Sequence, residues 1–236
     1  MQGMILESRE LTKKFGSVLA ADRISLSLDK GHICAMLGPN GSGKTTWMKM
    51  AAGLLKPTSG EVYYDGKPVG IESRKEIAYV STEPYFYNWM KVIDAGKYYA
   101  DFFEDFSMET YSRLLEQMEL KPGMKISSLS TGMTAKMKVA VTMARDAKVW
   151  MLDEPFNGID LLARDEIREC IRKFCGPEKL MLISSHLVEE LEAIADEAVF
   201  IREGRLVGKV NLEETRLNEG KSIADLYREI FGHAEE

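Results

Sequence analysis

The sequence predicts an α/β protein in which strands, then helices, then strand–helix–strand succeed one another. Three observations carry this. HICAMLG, VWMLDE and LMLISS are short apolar runs of the kind that parallel strands buried on both faces require. Helical periodicity separates the last two in ARDEIRECIRKF. Between Glu83 and about Ala147 the pattern is helical and rich in aromatic residues and Met, an insert between the two strand-bearing parts.

Taken in order, MILESRELTKKFG reads as a strand and turn, and ISLSLDKG alternates apolar and polar as a half-buried strand does. HICAMLG ends in a glycine that opens GPNGSG, and TTWMKMAAGLL follows as a helix. KPTSGEVYYDGKPV carries Pro, Ser-Gly and Asp-Gly punctuation around a strand and predicts a hairpin. KEIAYVS is a further strand, and AVFIREGRLVGKV a closing hairpin. The expected division is a catalytic core over 1–82 and 147–210, a helical subdomain over 83–146, and a C-terminal amphipathic helix over 211–236. In that last segment Ser222 caps apolar residues at Ile223, Leu226, Tyr227, Ile230 and Phe231, a spacing that predicts an amphipathic helix, expected to pack on the chain's own core, with a partner-binding helix as the alternative.

Composition narrows the functional classes. The net charge of −6 argues against a nucleic-acid surface. Three cysteines with no C-x-x-C pair fit a reducing compartment. The first residues carry no secretory pattern, and no apolar run approaches the roughly 18 residues of a membrane span.

The sharpest motif is Gly38-Pro39-Asn40-Gly41-Ser42-Gly43-Lys44-Thr45-Thr46, a full G-x-x-x-x-G-K-[ST] match after an apolar strand and before a helix. Its glycines let backbone N–H groups curl round phosphate oxygens, and the helix N-terminus adds a favourable dipole. Lys44 supplies a point charge to the β- and γ-phosphates, and Thr45 offers a hydroxyl to Mg²⁺. Such a P-loop needs a second acidic site at the end of a neighbouring strand, and VWMLDE provides it. Asp153 is placed to hold Mg²⁺ through water, and Glu154 to orient or deprotonate an attacking water. SLSTGM, ahead of TAKMKVAVTMARDA, reads either as a helix cap or as half of an anion site.

GPNGSGKTT, LSTGM, WMLDEPFNGID and LISSH, in this order and spacing, resemble the nucleotide-binding subunit of an ATP-binding cassette (ABC) transporter, up to about Val210. The resemblance implies a P-loop NTPase core with an antiparallel β subdomain and an inserted α-helical subdomain. It implies ATP hydrolysis with Mg²⁺, and head-to-tail pairing with an identical or different ATPase subunit. Ser130 and Gly132 of the signature loop would then reach the γ-phosphate held by the other subunit's P-loop. His186 would be the switch histidine, Asp160 would lie in the loop crossing the dimer interface, and Phe15 would stack on adenine.

The sequence departs from the family at Thr131 and Met133, which replace a glycine and the glutamine of Leu-Ser-Gly-Gly-Gln. Thr82, followed by Glu83, stands where the family carries a glutamine touching Mg²⁺ and water, so Thr82 is the candidate for that metal position. The resemblance further implies separate transmembrane permease subunits and a cytoplasmic location on the inner face of the cell membrane. Short length and the loosened signature loop resemble small bacterial export-type subunits. A soluble single-cassette ATPase of an assembly process, and a cassette that binds ATP without turnover, are the alternatives. EPYFYNWM fits the insert's own core or a docking groove equally well, whereas Tyr98, Tyr99, Phe102, Phe103 and Phe106 recur at helical spacing and are expected in the core.

Overall fold

The computed structural model describes residues 3–232. Strands β1 (Met4–Phe15) and β2 (Val18–Asp29) form a long antiparallel hairpin. β3 (Ile33–Leu37) runs into α1 (Lys44–Ala51) through the glycine-rich loop. A second hairpin, β4 (Ser59–Tyr64) and β5 (Lys67–Pro68), adds to β1. The short α2 (Ser73–Glu76) leads to β6 (Ile77–Val80). Three helices follow: α3 (Val92–Phe102), α4 (Met108–Gln117) and α5 (Thr131–Met143). The chain then alternates through β7 (Val149–Asp153), α6 (Leu161–Phe174), β8 (Leu180–Ser185), α7 (Val188–Glu192), β9 (Glu197–Arg202) and β10 (Arg205–Asn211). α8 (Leu212–Glu219) and α9 (Ile223–Phe231) end the described chain.

The strands make two sheets. One is antiparallel, in the order β2-β1-β4-β5; the other runs β10-β9-β3-β8-β7-β6 and is parallel except at β10. The apolar runs are continuous because both faces of the parallel sheet are covered. On β3, Cys34 and Met36 point into a core shared with β1, β2 and α1, while Ala35 and Leu37 point to the core shared with the helices. β7 and β8 sort the same way: Met151 and Leu182 face the first core, Trp150 and Ile183 the second. α1 lies between the sheets, where Trp47 is fully buried and donates its indole N–H to Ser8 Oγ at 3.1 Å.

Two expectations change. The segment 83–90 is not helical; it is an irregular loop, and the helical pattern starts at Val92. The single C-terminal helix expected over 211–236 is two helices. Gly220 ends α8 in the left-handed region, with φ 66°, and Ser222 starts α9 with a capping box to Asp225. Residues 233–236 of that expected helix lie outside the described residues. α9 buries Ile223 and Leu226 against the helix-side core and packs on α7, where Glu192 Oε2 accepts the Ile223 N–H at 2.6 Å.

Candidate active site

The C-terminal ends of β3, β6, β7 and β8 lie side by side, and residues 38–46, Thr82, Asp153, Glu154 and His186 lie at or just beyond those ends. Residues 38–43 form the loop between β3 and α1. A Cβ on Gly38 would stand 2.2 Å from the Ile201 carbonyl oxygen and 2.7 Å from Ser42 Oγ. Gly43, at φ 106°, would place one 2.4 Å from the Ala20 carbonyl oxygen. The loop is pressed against β9 and β2, and only glycine fits at these two points. Gly43 caps α1 without a side-chain bond, so the first-turn N–H groups of the helix have no side chain of their own to satisfy them. Ser42 Oγ is buried and has no hydrogen-bond partner. A bare helix N-terminus beside an orphaned hydroxyl is a cradle for an anion. Pro39, Asn40 and Gly41 are exposed on its outer rim, and Thr46 lies half-buried in the first turn of α1.

Lys44 is 5% exposed, and its Nζ donates to the carbonyls of Gly38 at 2.7 Å and Pro39 at 3.2 Å. Burial pulls its pKa below the ordinary lysine value, opposed by Glu154, whose Oε1 lies 3.6 Å away. The other carboxylate oxygen of Glu154 is 2.8 Å from His186 Nδ1. Lys44, Glu154 and His186 therefore form one chain of contacts from the P-loop to the end of β8. Glu154 adopts φ +48°, a left-handed conformation unusual for a residue with a Cβ. Its N–H is held by Ser184 Oγ at 3.0 Å and by the Ser184 carbonyl at 3.1 Å.

Asp153 is 1% exposed and accepts three hydroxyls: Thr45 at 3.0 Å, Ser184 at 2.6 Å and Tyr79 at 2.9 Å. Burial, then the Asp153 charge, pushes the Tyr79 phenol well above its ordinary pKa, so it stays a donor. Among the described residues no three His, Cys, Asp or Glu stand together as a metal cluster. One hydroxyl beside one carboxylate is instead an oxygen donor set suited to a hard cation that keeps most of its water or substrate ligands. Thr82 lines the same cavity of about 380 Å³ as Asp153 and Glu154. Its carbonyl is taken by Lys138, and the residue that touches Asp153 is Tyr79, on β6 just before it.

On α5, Ser130 is the N-cap, and its hydroxyl accepts the Met133 N–H at 3.2 Å. Gly132 is buried; a Cβ there would lie 3.5 Å from Asp160 Oδ2 and 3.4 Å from Ala163 Cβ. The signature loop thus packs on the start of α6, where Asp160 caps the helix by accepting the Ala163 N–H at 3.0 Å. That bond holds the Asp160 carboxyl below its ordinary pKa. Phe15 ends β1 with its ring half exposed, and Lys13 Nζ sits 5.1 Å from its centroid. A second cavity, of about 600 Å³, lies between Pro39–Ser42 and α9, lined there by Tyr227, Arg228 and Phe231.

A P-loop cradle, a buried Asp beside a half-buried Glu, and a histidine on one sheet edge can bind a nucleotide's phosphates and activate water. The sequence profile described as ABC transporter matches residues 21–157. The chain belongs to the ABC transporter family. As a member of the ABC ATPases it is an ATP-binding subunit. It is 31% identical over 218 residues to the lantibiotic transport ATP-binding protein SrtF of Streptococcus pyogenes, covering 89% of this chain and 95% of that protein. It is 32% identical over 212 residues to the Nod factor export ATP-binding protein I of Burkholderia lata, covering 86% and 70%. The fold matches a solved ATP-binding subunit of an ABC transporter with TM-score 0.84 and 26% identity, over 96% of this chain and 99% of that one.

Sequence reasoning missed Ser184, Tyr79 and Lys138. The first two are hydroxyls at the C-terminal ends of strands flanking β7, and that position was the available signal. Lys138, by its placement on a helix, carried none.

Proposed function

We propose that this ABC ATPase energises export through separate transmembrane permease subunits, at the inner face of the cell membrane. The observation that carries the reading is the continuous array Lys44–Glu154–His186 beside a P-loop cradle. The names of relatives that serve lantibiotic transport and Nod factor export support the direction. In this reading two cassettes, identical or different, close head to tail on ATP. Lys44 and the N–H groups of residues 40–46 bind the phosphates, and Phe15 stacks on adenine. Ser130 and Gly132 of one chain contact the γ-phosphate on the other, with Asp160 at the crossing. Thr45 and Asp153 hold Mg²⁺, with Thr82 facing the same cavity; the cation offsets phosphate charge. Glu154 takes the proton of the attacking water, and His186 steadies the Glu154 carboxylate.

In this reading the permease docks on the aromatic face that the 81–90 loop carries. Tyr87 and Trp89 are 66% and 72% exposed and stacked at 5.8 Å; Phe86 of the same loop meets Tyr98 edge-on at 6.5 Å, and Tyr98 and its neighbour Phe102 are 46% and 67% exposed. Among the described residues no helix is long and apolar enough to cross a membrane. The test is an affinity pull-down of tagged protein from detergent-solubilised native membranes. A stoichiometric multi-span membrane protein is expected; recovery with soluble partners alone overturns the transporter reading.

A further inference from the structure

Lys138 lies two turns along α5 from the signature loop and is 8% exposed. A buried ammonium is costly unless each of its three donors is met. Here all three are met by one loop. Its Nζ donates to the carbonyls of Ser81 at 3.0 Å, Thr82 at 2.9 Å and Glu83 at 2.8 Å. Three successive carbonyls can converge on one point only if the chain curls round it, so the ammonium fixes the shape of residues 81–83. The same Nζ lies 5.3 Å from the ring centroid of Tyr85, the next aromatic along the chain. On its other side the loop is tied to the P-loop helix, because the Glu83 carboxylate meets Lys49 of α1 at 3.4 Å. That second tie is exposed on the Glu83 side and weak. The firm attachment is to α5.

We infer that Lys138 is a positioning residue that makes the 81–89 loop, and the aromatic face it carries, move with α5 when nucleotide engages the signature end of that helix. The inference rests on the proposed transport reading and adds a residue to it. In this chain a side chain from α5 holds the loop in which Thr82 replaces the expected glutamine. The contact is main-chain to ammonium, so it does not depend on what side chains residues 81–83 carry.

Trp89 supplies the readout, since Trp47 and Trp150 are fully buried and acrylamide reaches Trp89 alone of the three. Acrylamide quenching is measured with and without a non-hydrolysable ATP analogue plus Mg²⁺, in the full chain and in Lys138→Met, Lys138→Gln and Lys138→Arg, with Trp89→Phe as the blank. Nucleotide affinity is measured on the same samples. The unaltered chain is expected to show a change of about twofold in the quenching constant on nucleotide binding. Lys138→Met and Lys138→Gln lose it while nucleotide affinity stays within about threefold. Lys138→Arg, which keeps charge and donors, retains it. Lys138→Gln carries the test if Lys138→Met does not fold. A merely structural role would lower the melting temperature and leave the nucleotide-dependent difference in place. A full response in either neutral variant, or none in the unaltered chain despite binding, overturns the inference alone. Absence of nucleotide binding in the unaltered chain overturns the transport reading and the inference together.

Discussion

Glu154 sits in a conformation that a side chain disfavours, and Ser184 is what keeps it there. The Ser184 hydroxyl donates to Asp153 and accepts the Glu154 N–H, so one oxygen registers both acidic residues. Ser184→Ala is therefore expected to lower kcat about tenfold with ATP affinity changed less than about threefold, and to cost about 1–2 kcal/mol of stability. Steady-state kinetics and denaturant unfolding check it. In the proposed mechanism Glu154→Gln removes the base but keeps the shape. Its turnover should fall by on the order of 10²–10⁴, and an ATP-dependent dimer should appear on gel filtration. Unaltered hydrolysis would exclude Glu154 as the base. The charged members of this site were legible because their residue types and spacing are dictated by phosphate chemistry. Ser184 and Tyr79 were not, because a hydroxyl's role is set by which strand lies next door, and strand order is not written in local sequence.

Elements differ in how much of their environment they announce. The parallel strands were readable from continuous apolar runs, and the P-loop from its glycines. Gly38→Ala is expected to impair folding, because the added methyl would overlap the Ile201 carbonyl; soluble yield and melting temperature report it. α3 shows where the sequence falls short. Helical spacing placed five aromatics in the core, but only Tyr99, Phe103 and Phe106 turn inward in part, whereas Tyr98 and Phe102 face outward. Periodicity defines a face; it does not say whether anything covers it. The caps give a pH prediction. The Asp160 and Asp225 carboxyls are held below the ordinary aspartate value, by the Ala163 N–H and by the Ser222 hydroxyl respectively. Depressed carboxyls stabilise the fold above their unfolded values and cease to as pH falls through their folded values. Helix content followed by circular dichroism should thus hold at about pH 5 and decline below about pH 3.8. Asp225→Asn should flatten the part of that decline belonging to α9.

At the scale of the whole molecule, the signature loop and the start of α6 form one surface, joined at Gly132 and Asp160. Leu161 and Leu162 beside it are 70% and 75% exposed, an apolar pair that head-to-tail pairing would cover. Leu161→Lys with Leu162→Lys should weaken ATP-dependent dimerisation of a Glu154→Gln chain by about tenfold or more, measured by analytical ultracentrifugation, while single-chain nucleotide binding persists. The parallel sheet has a different legacy, one for genetics. It is a partition, and side-chain parity along each strand decides on which side of it a lesion falls. Damage at Met36, Met151 or Leu182 loosens packing against β1, β2 and α1; damage at Trp150 or Ile183 loosens packing against the helices. Second-site suppressors selected for a cavity at Met151 should cluster among the first group of elements, and those for Ile183 among the second, although neighbouring strands carry the two positions.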